Sequence, residues 1–465
     1  MSAPELLARL AAEAAEAQRC SSIAWGLVRD GSLVASGGVG TLHDGAAPDQ
    51  HTVYRIASMT KSFTTAAVLS LRDEGALALD VPVAEYAPEL SGVRGPAGSA
   101  PITLRRLLSM TAGMATDDAW ADRHLDMTAD DIDRIYAAGP FFARLPDDGY
   151  EYSNLGFGMI GRTVLAATGT RLQDHVSARL LGPLGMTNTR WVEPHDLRWA
   201  RPHRTQDDTI VPDLPHPIGD GEIAPMGGLW TTVADLATWV AWLDSANSLP
   251  HQPHAVGLSA ASRREMQRMH TYGGVTTVAG RTSPSGYGFG LNLRDDTDLG
   301  MVIAHSGGLP GYGTNMRWLK GRGIGVIALA NTTYASMGAL TLRMLAELHR
   351  DGLLPSRPQV AAPELEVAAH RLVALLNDWS HDHADALFSD NVALDESFER
   401  RAAAAARLVE QHGPLRVLGL RATSWGSGII DVQGNGSPFT ITLELAPLRP
   451  QTEGFVQLYT AQNPR

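Results

Sequence analysis

Strand-like alternation falls at both ends of residues 1–354 and is nearly absent between them, and this placement limits the fold more than any other feature. Residues 23–28 and 33–40 alternate around Arg29-Asp30-Gly31, and an Asp-Gly pair between two such runs predicts a hairpin. Strand character returns at 287–293, 301–305, 314–319 and 325–331, and a helical segment at 337–349 closes the unit. From 77 to about 269 the pattern is mostly helical, with Pro/Gly-rich connections. Strands from both ends have to meet in one sheet. The pattern predicts an α+β fold: an antiparallel sheet flanked by helices, with an inserted helical lobe at about 77–280. A cleft between sheet and lobe is the expected place for chemistry.

Residues 355–363 carry Pro355, Pro358 and Pro363 and read as a linker. It separates a domain at 1–354 from a small C-terminal α+β accessory domain at 364–465, with helices at 365–377 and 395–411 and strands at 415–422, 428–432, 439–445 and 455–459. No catalytic constellation stands in that second domain, so a structural or substrate-shaping role is expected for it. An apolar share of 44% against 19% charged suits a folded chain. The net charge of -12 argues against nucleic acid and anionic membrane as partners. Cys20 stands alone, and no His/Cys cluster has zinc spacing, so neither disulfide, metal nor cofactor is expected. Glu5, Arg9, Glu13 and Glu16 interrupt the N-terminal apolar residues, unlike a secretory signal, and no run reaches the ~18 apolar residues of a membrane span. A cytoplasmic protein is expected, its oligomeric state left open.

Ala57-Ser58-Met59-Thr60-Lys61 opens a long helical pattern at 58–74, closed by Gly75. Residues three apart share a helix face, so the Ser58 hydroxyl and the Lys61 amine are expected in one pocket. Serine needs a base to become a nucleophile, and lysine can be that base only where burial depresses its pKa. S-x-x-K alone recurs by chance; its place after a strand and among apolar residues gives it weight. Tyr152-Ser153-Asn154 precedes another helical run: the Tyr152 phenol can relay a proton, and Asn154 can accept from Lys61 while donating to a substrate carbonyl. Ala304-His305-Ser306-Gly307-Gly308 ends a predicted strand. The Gly308 N–H is expected to pair with that of Ser58 as an oxyanion hole, and His305 to assist the Tyr152 relay or contact substrate.

In this order the three elements resemble the serine β-lactamase and penicillin-binding-protein superfamily, in the branch of class C β-lactamases, D-Ala-D-Ala carboxypeptidases, D-aminopeptidases and family VIII esterases. The resemblance spans 23–349 and includes Arg55-Ile56-Ala57-Ser58-Met59-Thr60-Lys61, Leu181-Gly182-Pro183-Leu184-Gly185-Met186 and Gly227-Gly228-Leu229-Trp230-Thr231-Thr232. It implies the β-lactamase/transpeptidase-like fold, with Ser58 the acylated nucleophile, Lys61 its activating partner and Tyr152 the general base and acid. It also implies Asn154 as substrate amide donor, with His305, Ser306, Gly307 and Gly308 on the substrate-binding strand. The reaction implied is acyl-enzyme cleavage of a small-molecule or peptide ester or amide, as in an esterase, D-peptidase or carboxypeptidase. An amine as second acceptor would make the chain a peptide cyclase or acyltransferase, and lost turnover would leave a penicillin-binding sensor. His305-Ser306-Gly307 stands where β-lactamases carry Lys-Thr-Gly, so β-lactam hydrolysis is expected to be weak. Leu108-Ser109-Met110-Thr111-Ala112-Gly113-Met114 departs from the His-Thr-Ser-Gly form of relatives in the helical lobe.

Overall fold

The computed structural model describes residues 1–213, 219–247, 256–354, 360–447 and 456–462, and the chain divides into two compact units, Met1–Pro355 and Ser356–Arg465. Residues 355–359 of the expected linker lie outside the described residues. In the first unit, β1 (Ser22–Arg29) and β2 (Ser32–Gly40) form the expected hairpin. Its turn places Asp30 at φ 47° and Gly31 at φ 83°, the left-handed pair that a tight hairpin requires. The remaining strands of the sheet are β3 (Thr271–Val278), β4 (Arg281–Tyr287), β5 (Asn292–Asp296), β6 (Gly300–Leu309), β7 (Tyr312–Leu319) and β8 (Ile324–Ala330). Their order, β2-β1-β8-β7-β6-β5-β4-β3, is one eight-stranded sheet in which every neighbouring pair is antiparallel. The segments from the two ends meet where β1 pairs with β8.

Period-two alternation buries both faces. Ile23, Trp25 and Leu27 of β1, with Val326 and Ala328 of β8, join α1 (Ala3–Ala17) and the helix Met337–Arg350 in one core. Ala24, Val28, Ile327 and Leu329 join the other core, which holds the helices Thr60–Asp73 and Val233–Ser245. Cys20 is buried in the first of these, and burial pushes its thiol up to about 11, the behaviour of an inert residue.

Three elements differ from expectation. The helical lobe ends before Thr271 rather than at about 280, because Thr271–Val278 is the outermost strand; its exposed Thr276 and Thr277 and its glycines 273 and 274 hide the alternation. The expected strand at 287–293 is the junction of β4 and β5, broken at Gly290, whose φ is 66°. The expected single helix at 58–74 is a 3₁₀ turn, Ala57–Met59, followed by α2 (Thr60–Asp73), with Gly75 at φ 78° beyond its end.

The second unit is a four-stranded antiparallel sheet, Arg416–Ala422, Ser427–Gln433, Phe439–Leu445 and Val456–Gln462 in that order. The helices Pro363–Asn377 and Phe398–His412 supply Leu365, Leu372, Leu376 and Ala405 to its core with Ile430 and Ile441. Pro363 therefore starts a helix rather than ending a linker, as the missing N–H allows at a first helical position. Phe455, expected to open the last strand, lies outside the described residues. Among the described residues no helix is long and apolar enough to cross a membrane.

Candidate active site

The turn that carries Ser58 is held by its approach. Tyr54–Arg55 pairs with Trp230–Thr231, and the chain then turns through Ala57 at φ 50°, a left-handed conformation that costs a non-glycine residue about 1 kcal/mol. That turn leaves Ser58 9% exposed. Lys61 follows one turn later and is fully buried. Its Nζ donates to Ser58 Oγ at 3.0 Å, Asn154 Oδ1 at 2.7 Å and the Met226 carbonyl at 2.8 Å, which engages all three ammonium donors. It also lies 4.8 Å from the centre of the Tyr152 ring and 5.2 Å from that of Phe157. Burial pushes this amine down to about 8, against the opposing pull of Asp118, Asp122 and Asp117. The chain has only two lysines, and Lys61 is the one that occupies this pocket.

Burial, with Tyr287 and Asp118 adding and the Ser58 hydroxyl opposing, holds the Tyr152 phenol well above the ordinary range. Ser58, Lys61, Tyr152 and Asn154 thus come together. Asn154 does not present its amide to the cleft as expected: its Nδ2 donates to Asp117 Oδ1 at 3.1 Å and Asp118 Oδ1 at 2.7 Å.

His305 is buried. Its Nδ1 is 2.7 Å from the Ser306 carbonyl, which can only accept, so Nδ1 carries the proton and Nε2 accepts from the Tyr287 hydroxyl at 3.0 Å. Burial, with Lys61 adding, pushes the imidazole down to about 3, so it is neutral. The ring of Tyr287 packs edge-on against both His305 and Tyr152, at 5.9 and 6.4 Å between centroids. His305 therefore reaches the expected relay only through Tyr287. No catalytic motif marks Tyr287, but its Gly286-Tyr287-Gly288-Phe289-Gly290 surroundings announce close backbone approach. A Cβ on Gly290 would lie 2.7 Å from the Lys61 carbonyl.

Strand β6 abuts the Ser58 turn at Gly307, where an added Cβ would lie 2.0 Å from the Ile56 carbonyl oxygen and 2.4 Å from Thr314 Oγ1. Gly307→Ala is expected to push β6 off the turn, lowering stability by about 1–3 kcal/mol and turnover with it. Thermal melts and steady-state rates check both effects. Ser306 points to the opposite face from His305 and accepts from Asn315 Nδ2 at 2.8 Å. There it borders an open cavity of about 550 Å³, lined also by Gly308, Arg294, Arg317, Tyr150 and Tyr334. The ring of Tyr334 lies against Gly308, and its hydroxyl donates to Asp122 Oδ2 at 2.9 Å. Tyr334 thereby spans from the end of the sheet to the helical lobe. Burial pushes the Asp122 carboxyl up to about 7. Asp117, Asp118, Asp122 and Tyr334 carry no motif, and no sequence signal marks them.

The family model Beta-lactamase matches residues 7–351. The chain is similar to esterase EstB of Burkholderia gladioli, 29% identical over 63% of this chain and 81% of that protein. It is also similar to penicillin-binding protein 4 of Amycolatopsis lactamdurans, 26% identical over 70% of this chain and 83% of that protein. The octameric penicillin-binding protein homologue from Pyrococcus abyssi superposes with a TM-score of 0.63, covering 95% of this chain and 91% of that one at 20% identity. That likeness concerns the fold.

Proposed function

Because the chain belongs to the Beta-lactamase family over residues 7–351, whose members are serine hydrolases, we propose that it forms an acyl-enzyme on Ser58 and cleaves an ester or amide. The carrying observation is the buried Lys61 amine 3.0 Å from the Ser58 oxygen, its pKa brought to about 8. In its unprotonated form this amine takes the Ser58 proton while Oγ bonds to the substrate carbonyl carbon. The backbone N–H groups of Ser58 and Gly308 receive the developing oxyanion. A phenol held above its usual range is a poor resting base, so Tyr152 serves better as the proton donor to the departing alcohol or amine. Protons then pass from Lys61 to Tyr152, and water, losing a proton to the same pair, releases the acid and restores Ser58.

A panel of p-nitrophenyl esters and D-amino-acid p-nitroanilides, followed by intact mass spectrometry, tests this reading. A transient adduct on Ser58 with ester turnover is expected, and an adduct located elsewhere would overturn it. Nitrocefin in the same panel is expected to turn over slowly, since neutral His305 offers no point charge to a β-lactam carboxylate.

A further inference from the structure

Asn154 is the first residue before the helix Leu155–Thr168, yet its side chain does not cap that helix. The cap comes from thirty-odd residues upstream: Asp117 Oδ1 accepts from the Asn154 backbone N–H at 2.7 Å, and Oδ2 from Leu155 N–H at 2.8 Å. The same Oδ1 takes one side-chain N–H of Asn154, and Asp118 Oδ1 takes the other at 2.7 Å. Two acceptor-only carboxylates leave the amide a single orientation, with its carbonyl oxygen turned to Lys61 at 2.7 Å.

We propose that Asp118, together with Asp117, is a positioning residue for the acyl-transfer site: the pair grips both N–H bonds of Asn154 and so fixes its oxygen against the Lys61 amine. This rests on the acyl-transfer reading. The amide is a bridge between anion and cation. Hydrogen bonds to carboxylates at one end draw electron density toward the oxygen at the other, which strengthens the hold on Lys61. Asp118 also acts on Lys61 as a charge. It is the largest of the three acidic influences that oppose desolvation there, ahead of Asp122 and Asp117; Tyr152 and His305 complete the titratable groups around the amine. The two roles separate by substitution. Asp118→Asn keeps size and an acceptor oxygen but removes the charge, whereas Asp118→Ala also frees one side of the amide.

The test uses the full-length protein grown with 13Cε-lysine, whose two lysines, Lys61 and Lys320, give two resonances assigned with Lys320→Arg. The Lys61 signal is expected to titrate near 8 in the unsubstituted protein and about one pH unit lower in Asp118→Asn, with Asp118→Glu restoring it. In Asp118→Ala, kcat on the preferred ester is expected to fall about ten-fold while KM stays within about two-fold, since the lost contact is to Asn154, which holds Lys61, and not to substrate. An unmoved Lys61 midpoint in Asp118→Asn would overturn the charge role, and an unchanged kcat or a change in KM alone in Asp118→Ala would overturn the clamp. The two readings fail separately: a lowered midpoint in Asp118→Asn without any Ser58 adduct in the unsubstituted protein would refute acyl transfer and leave the action of Asp118 on Lys61 standing. Ser58 acylation with kcat unchanged in Asp118→Ala would refute the clamp alone.

Discussion

Replacing Ser58 with alanine is expected to lower turnover of every productive substrate by about four orders of magnitude or more, and to abolish the acyl adduct in the same sample. Removing a nucleophile that acts as one unit with its base loses nearly the whole contribution of the unit, because the remaining groups have no oxygen to activate. The fold gives no reason for a comparable loss of stability. Ser58 contributes a small, nearly buried side chain, and its departure removes one of the three acceptors of Lys61, leaving those from Asn154 and Met226. Loss of one such bond costs about 1 kcal/mol, so the melting temperature should shift by a few degrees at most. Rates and melts on one preparation keep the two effects apart. Retention of a tenth or more of the turnover would place the nucleophile elsewhere.

What the sequence made legible follows from how local each feature is. The β1–β2 turn shows in Asp30 and Gly31 because both the conformation and its residue preference belong to adjacent positions. Ser58 and Lys61 show for the same reason, since one helical turn brings them together whether the first residues are α or 3₁₀. Tyr152 and Asn154 were legible as a pair but not in detail. The orientation of the Asn154 amide is decided by Asp117 and Asp118, which precede it by 37 and 36 positions and read as loop acids in the sequence. His305 shows the same limit. Its strand position was legible, whereas its partner Tyr287 sits on another strand of the sheet, so the path to Tyr152 needed the three-dimensional pairing. The edge strand Thr271–Val278 escaped because an edge exposed to solvent has little need of apolar alternation.

Lys61→Met should separate catalysis from stability more sharply than any other substitution. Turnover is expected to fall by about three orders of magnitude, because neither a base for Ser58 nor a cation beside Tyr152 remains. Stability obeys different terms. The folded amine titrates near 8 rather than at the ordinary 10.5, so between those values the unfolded chain binds a proton that the native state has released. Where the unfolded state binds more protons, stability rises with pH. The cost of burying this ammonium is therefore full below about pH 8, on the order of 3 kcal/mol, and is relieved progressively as pH climbs to 10.5. Methionine fills the same space without that cost but strips the Asn154 oxygen and the Met226 carbonyl of their donor, about 1–3 kcal/mol each. These contributions oppose one another, so near pH 7 the variant should melt close to the unsubstituted protein. The telling measurement is the difference in stability between the two proteins from pH 7 to 10.5, which should move steadily in favour of the unsubstituted chain as its lysine loses the proton. A difference independent of pH across that window would mean that Lys61 keeps an ordinary pKa in the folded state, and an amine in that condition is no base for Ser58 at neutral pH.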